Sequence, residues 1–345
     1  MKKLFFSLLL SISVLEISAQ QVKSSVSVNE SIQGLYFGLS QPANIPELFA
    51  PEIVSDELSN RDVAISNDGK EIYFGISTPD FRYAAIVVSE MKNGLWSKPE
   101  VASFSRDSRY KFVEPAFSPD GKRLYFVSDM PKAGNEKPGD EDIWYVERTP
   151  QGWSSPVNIG SPVNTDGGEF FPSFTKNGDM YFTRNEAGVR TSFIFKAVYK
   201  DGNFVTPEKL PEQINCGIDR FNAYIFPDES FAVVPAVDVE PGLNGAFYYI
   251  VFRNNDGSWE KPVNMGKEFN TPVGRGWSFY ISPDRRFAFF MATLRKTESG
   301  HPEVLSVDFL KSEFAKPQNG NPDIYWISTD VIRKLAAANG KEILK

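Results

Sequence analysis

The chain has 345 residues, with 37 lysines and arginines against 44 aspartates and glutamates, a net charge of −7. That balance excludes nucleic acid as a partner, because no basic stripe is available to neutralise a run of phosphates. One cysteine, Cys216, excludes an internal disulfide, so stability must come from the core, where Cys216 is expected as a small buried apolar side chain.

The opening segment, MKKLFFSLLLSISVLEISAQ, sets Lys2 and Lys3 before an apolar run from Leu4 to Leu15 and ends in small residues at Ala19. It reads as a secretory signal peptide over residues 1–19, too short and wrongly flanked for a membrane span. Its removal takes away Lys2, Lys3 and Glu16 and leaves the mature chain slightly more acidic. Residues 20–45 are predicted to be an N-terminal extension, with the polar stretch 20–35 expected to be disordered.

From residue 61 a hairpin recurs five times: RDVAISNDGKEIYFGIS, EPAFSPDGKRLYFVSD, FFPSFTKNGDMYFTRN, FNAYIFPDESFAVVPAVD and WSFYISPDRRFAFFMA. The turn residues Asp68, Asp120, Asn177, Asp228 and Asp284 recur at intervals of about 50–57 residues, a repeat-protein period. Pro119, Pro227 and Pro283 preset φ, and the Asp or Asn that follows bonds its own backbone or takes the left-handed region. A second hairpin follows most copies, turning at Asn93-Gly94, Gln151-Gly152, Asp201-Gly202 and Asp256-Gly257. After it come an aromatic residue (Trp96, Trp153, Phe204, Trp259) and a proline (Pro99, Pro156, Pro207, Pro262), which suits an outermost strand because an edge tolerates a missing donor.

Each repeat is thus four antiparallel strands, and the class is all-β: a β-propeller of five blades over residues 46–328, with six as the alternative should residues 22–45 add structure. The fifth repeat has a third strand, DIYWIS (323–328), but no fourth. PELFAPEIVS (46–55) precedes the first hairpin and can supply it, closing the ring by strand exchange between the termini. The tail, 329–345, reads as a short helix with a Ser or Thr cap and with Val331 and Leu335 on one face.

The core Phe117–Phe126 (FSPDGKRLYF), followed by Asp142–Tyr145 (DIWY) and Trp153–Gly160 (WSSPVNIG), resembles the WD-like β-propeller repeat of the TolB type. The linkers VNT (163–165), INC (214–216) and FNT (269–271) are similar to that family as well, whereas the repeats at 170–185 and 221–238 depart from its Pro-Asp-Gly turn. The resemblance implies a propeller in an exported, periplasmic or extracellular protein. It implies little chemistry, because such folds carry binding modules and enzymes alike.

Aligned on their turns, the innermost strands begin at Asp62, Glu114, Phe171, Asn222 and Ser278, with Arg61, Glu169, Arg220, Arg275 and Trp277 just ahead of them. Carboxylates, arginines and an aromatic residue are therefore expected at one mouth of the central channel, on the face that also carries the acidic loop 130–142 and the insertion 293–322. The ligand-binding candidates are Arg61, Asp62, Glu114, Glu169, Arg220, Asn222, Arg275 and Trp277. The leading expectation is a non-catalytic module for an envelope or extracellular protein or glycan, a monomer without cofactor, metal or membrane span. The alternative is a glycan-cleaving enzyme in which Asp62, Glu114 and Glu169 serve as acid, base and tuning group, since that chemistry needs paired carboxylates and a stacking ring. The two readings differ in whether the carboxylates face an open pocket or are occupied by Arg61, Arg220 or Arg275. Asp140, Glu141 and Asp142 could hold calcium but read more simply as a solvated acidic loop. The lone histidine, His301, lies in the insertion, and neither a Gly-x-Ser-x-Gly elbow nor a phosphate-binding glycine loop is present.

Overall fold

The computed structural model describes residues 32–132, 138–186, 188–243, 245–270, 276–293 and 304–345. The signal-peptide segment 1–19, Arg275 and His301 lie outside the described residues.

Five antiparallel sheets surround a central axis as the blades of a β-propeller. From axis to rim, blade 1 runs Ser59–Ile65, Glu71–Ser77, Ala84–Lys92 and Glu100–Val101, and blade 2 runs Phe112–Phe117, Arg123–Ser128, Asp142–Thr149 and Val157–Asn158. Blade 3 comprises Glu169–Phe174, Met180–Asn185, Ser192–Ala197 and Glu208–Lys209. Blade 4 has a split inner strand, Asp219–Arg220 and Tyr224–Ile225, then Phe231–Val237, Ala246–Phe252 and Val263–Asn264. Blade 5 has Phe279–Ile281, Phe287–Ala292 and Asp323–Ser328, and its outer strand is Glu47–Leu48 from the other end of the chain. Glu47 pairs with Trp326 and Leu48 with Tyr325, the strand exchange that the incomplete fifth repeat implied.

The turns use the chemistry their residues suggest. Ser66, Ser118 and Ser282 each donate a hydroxyl to the aspartate two positions on, and Asp68, Asp120 and Asp284 accept the backbone N–H of Lys70, Lys122 and Arg286, two residues further. Where glycine is replaced, Glu229 and Arg285 themselves take a left-handed φ of about 60°. The linker asparagines are locks. Asn164, Asn215 and Asn270 each accept from, and donate to, the backbone of the third strand of the preceding blade, at Ile143, Ile194 and Tyr248. This pairs groups that a two-residue outer strand cannot reach.

Residues 32–35, expected to be disordered, instead cover the rim of blade 1: Gln33 bridges Leu95, and the Trp96 indole donates to Gly34 O at 2.7 Å. The short turn that follows buries Tyr36 and Phe37 against Phe287, Trp326 and Trp96. Apolar side chains that the extension was not credited with thus bind it to the seam between blades 5 and 1. The C-terminal helix is Asp330–Ala338; Ile332 and Ala336 are its buried face, flanked by Val331 and Leu335.

At the seam, Asp323 opens the third strand of blade 5. Its Oδ2 accepts from Gln318 N at 2.8 Å while Oδ1 has no partner, and burial pushes the carboxyl up to about 7. The folded chain therefore holds this proton more tightly than the unfolded one. The associated stability is complete below about pH 4, where both states are protonated, and is lost as pH rises through about 7. Asp323→Asn should accordingly stabilise the protein at pH 8 by about 1–3 kcal/mol and leave it unchanged near pH 4, as urea unfolding at the two pH values would show.

Candidate functional site

In blades 1 to 4 the innermost strands do not begin at the aligned positions but pass through them with a break, whereas in blade 5 the strand opens at Phe279, directly after Ser278. Asp62, Glu114, Phe171 and Asn222 all have a left-handed φ between 50° and 58°. In blades 1 to 3 the pairing register jumps across the same residues. A bulge of this kind leaves its residue unpaired and turns its side chain and amide away from the ladder. Four such residues around one axis, each costing about 1–3 kcal/mol of backbone strain, are held in place by what they meet there.

They meet one another. Arg61 bridges the two acids, Nε lying 2.6 Å from Asp62 Oδ2 and Nη2 2.7 Å from Glu114 Oε1. Glu114 Oε2 accepts from Phe171 N at 2.7 Å, and Oε1 also accepts from Asn222 Nδ2 at 3.3 Å. Asp62 N donates to Ser278 Oγ at 3.3 Å, so the belt of contacts includes all five blades. Burial alone would favour an uncharged Arg61, but Asp62 and Glu114 raise its pKa and keep it cationic. Burial also raises the Glu114 carboxyl, an effect that Arg61 opposes.

This belt partitions the channel. On the side of the tight turns lies a cavity of about 350 Å3, reached past Asn67, Pro119, Lys176 and Arg285. On the other side is a mouth pocket of about 250 Å3, and Glu114 borders both spaces. The mouth is lined by Arg61, Val113, Phe170, Phe221 and Trp277, each one residue ahead of its blade's aligned position, together with Phe81, Glu141 and Asn222. Trp277 is 41% exposed and meets Phe221 edge-on at 6.4 Å. It is placed by Gly276, where a Cβ would lie 2.4 Å from the Tyr248 ring, and by its own N–H, which donates to the Tyr248 hydroxyl at 3.0 Å.

No family model matches the chain, and no curated protein matches it either. Among solved structures it is similar to TolB from Acinetobacter baumannii, with 16% identity, a TM-score of 0.42, and coverage of 75% of this chain and 53% of that one. A protein assigned as TolB from Agrobacterium tumefaciens is similar at 14% identity and a TM-score of 0.45, over 78% of this chain and 90% of that one. A puromycin-hydrolysing peptidase from Mycobacterium tuberculosis follows at 14% identity and a TM-score of 0.40, over 78% and 42%. The chain thus spans about half the length of the Acinetobacter protein and less than half of the peptidase.

Of the sequence candidates, Arg61, Asp62, Glu114, Asn222 and Trp277 come together at the belt and mouth. Glu169 and Arg220 are placed elsewhere. The Glu169 carboxylate accepts from Thr165 N, Thr165 Oγ1 and Arg184 Nε at 2.9, 2.6 and 2.8 Å, fastening the linker between blades 2 and 3. Arg220 donates to Thr191 Oγ1 and to the carbonyls of Ser192, Cys216 and Gly217 between blades 3 and 4. Cys216 is buried there, and burial pushes its thiol up to about 11. In the acidic loop Asp142 is buried, accepting from Asn158 Nδ2 at 2.9 Å with Lys132 at 3.4 Å, whereas Glu141 lines the mouth. Among the described residues no three metal-ligating side chains converge.

Phe81, Phe170, Phe221 and Glu141 were not singled out as mouth residues by the sequence. Phe170 and Phe221 are the positions equivalent to Arg61 and Trp277, so the same turn-anchored alignment, moved back by one residue, contains them.

Proposed function

We propose that this protein is an exported, non-catalytic binding propeller that holds an envelope or extracellular protein or glycan at the channel mouth. Arg61 carries the reading: it occupies both candidate catalytic carboxylates at ion-pair distance, and Glu169 is committed to Arg184 and Thr165. A glycosidase acid or base must be free to exchange a proton with substrate or water. The strained belt beneath an aromatic rim suits a rigid recognition surface. The insertion adds to the same side, since it returns to blade 1 through Asn319 Nδ2 on Glu57 O and Asn60 N on Pro322 O, both at 2.9 Å. Its helix Val307–Phe314 leaves Val307, Leu310 and Phe314 exposed. Export rests on the reading of residues 1–19 as a signal peptide, and no helix among the described residues is long and apolar enough to cross a membrane.

The reading is tested by incubating the purified protein with envelope and extracellular fractions and identifying by mass spectrometry what is retained and what is released. A molecule retained uncut by the parent, and lost from Trp277→Ala, is the expected result. Cleavage products that disappear with Glu114→Gln would replace this reading with the enzymatic one.

A further inference from the structure

The mouth pocket has hydrogen-bond acceptors to spare. Asn222 donates Nδ2 to Glu114, which fixes the orientation of the amide, because only its NH2 end can donate to a carboxylate. Oδ1 is then left without a partner in a residue only 3% exposed. Asp62 Oδ1 is also buried and unpartnered, but it borders the cavity on the other side of the belt. The Glu141 carboxylate lines the pocket and meets no hydrogen-bond donor among the described residues; its charged neighbours act from a distance. Asn222 Oδ1 and the Glu141 carboxylate line the pocket and would both accept from a bound ligand, which would relieve the unmet buried acceptor on Asn222.

Charge points the same way. The Glu141 carboxylate gives the pocket an acidic wall, while Arg61 is neutralised within the belt by Asp62 and Glu114. Lys111, beside Phe81, has Asp129 for a partner at 4.0 Å. The walls are the rings of Phe81, Phe170, Phe221 and Trp277, and ring faces attract cations. We propose that the mouth pocket binds a protonated amine on a slender carbon stem, the stem lying among the four rings and the ammonium donating to Glu141 and Asn222 Oδ1. A volume of about 250 Å3 admits a stem the size of a lysine side chain. The proposal rests on the mouth being the ligand site and names the chemical class of what it holds.

The test follows the indole N–H resonance of Trp277, assigned with Trp277→Phe, while n-butylammonium, butan-1-ol and butyrate are titrated into the purified protein. Butylammonium is expected to bind at least tenfold more tightly than butanol, and Glu141→Gln to weaken the ammonium about tenfold with butanol unchanged. Equal binding of all three probes, or preference for butyrate, would overturn the amine assignment while leaving the mouth as a binding site. Silence towards every probe would overturn the mouth reading as well. Nα-acetyl-lysinamide and 1,4-diaminobutane then distinguish a partner's lysine side chain from a free polyamine; tighter binding of either supports the assignment.

Discussion

Arg61→Ala is expected to lower the stability of the protein by about 3–5 kcal/mol, the cost of stranding buried charges. The side chain is largely buried and is the only cation in contact with Asp62 and Glu114 among the described residues. Without it the two acids would face each other across a space that water reaches poorly, on bulges whose strain the ion pairs help to offset. Urea unfolding at pH 7 measures the loss. Adding Asp62→Asn and Glu114→Gln to the same variant should recover a large part of it, because the remaining amides no longer need a counterion. A loss below about 1 kcal/mol for the single variant would mean that the belt is solvated and behaves as a surface ion pair.

Phe49→Ala should cost a similar amount, about 3–5 kcal/mol, through the cavity it leaves at the closing seam. Phe49 follows the two-residue exchange strand and is fully buried, with Phe289 at 4.9 Å and Trp326 at 5.2 Å, and its amide donates to Ile324 O at 2.8 Å. The strand itself contributes only two paired residues, so the aromatic cluster carries the closure. The variant should also release the Phe49 amide to hydrogen exchange ahead of the blade interiors. If amides throughout the protein exchange together instead, the seam is no weaker than the blades and this account of closure is wrong.

The blade count and the strand exchange could be read before any coordinates because both depend on short-range chemistry. The Asp and Asn turns set the period, and residues 46–55 offered a donor for the absent fourth strand after Asp323–Ser328, with six blades as the alternative that the paired register removes. The candidate site was legible only as a position along each blade. Arg61, Arg220 and Glu169 look interchangeable in sequence, all lying just ahead of an inner strand, yet Arg61 reaches carboxylates on the axis while Arg220 is spent on its own linker's carbonyls and on Thr191 and Ser192 of blade 3. That choice follows from the bulges, which depend on left-handed backbone at ordinary residues such as Phe171 and carry no glycine to betray them. The anchoring of Tyr36 and Phe37 was missed for a related reason: two aromatic residues in the N-terminal extension acquire a partner only once the ring closes beside them.

The exchange of strands between the termini also sets an order of events. Blade 1 can form from contiguous sequence, but blade 5 requires partners from both ends of the chain, with Ser55 Oγ donating to Ile324 O across 269 residues. Contacts that distant carry the full entropy of loop closure before they return anything, and they slow folding accordingly. The first four blades can therefore assemble in sequence while the fifth waits, so the last step of folding completes the belt around the axis and, with it, the floor of the mouth. A chain stopped short of residue 323 would hold most of its blades in a ring that cannot close.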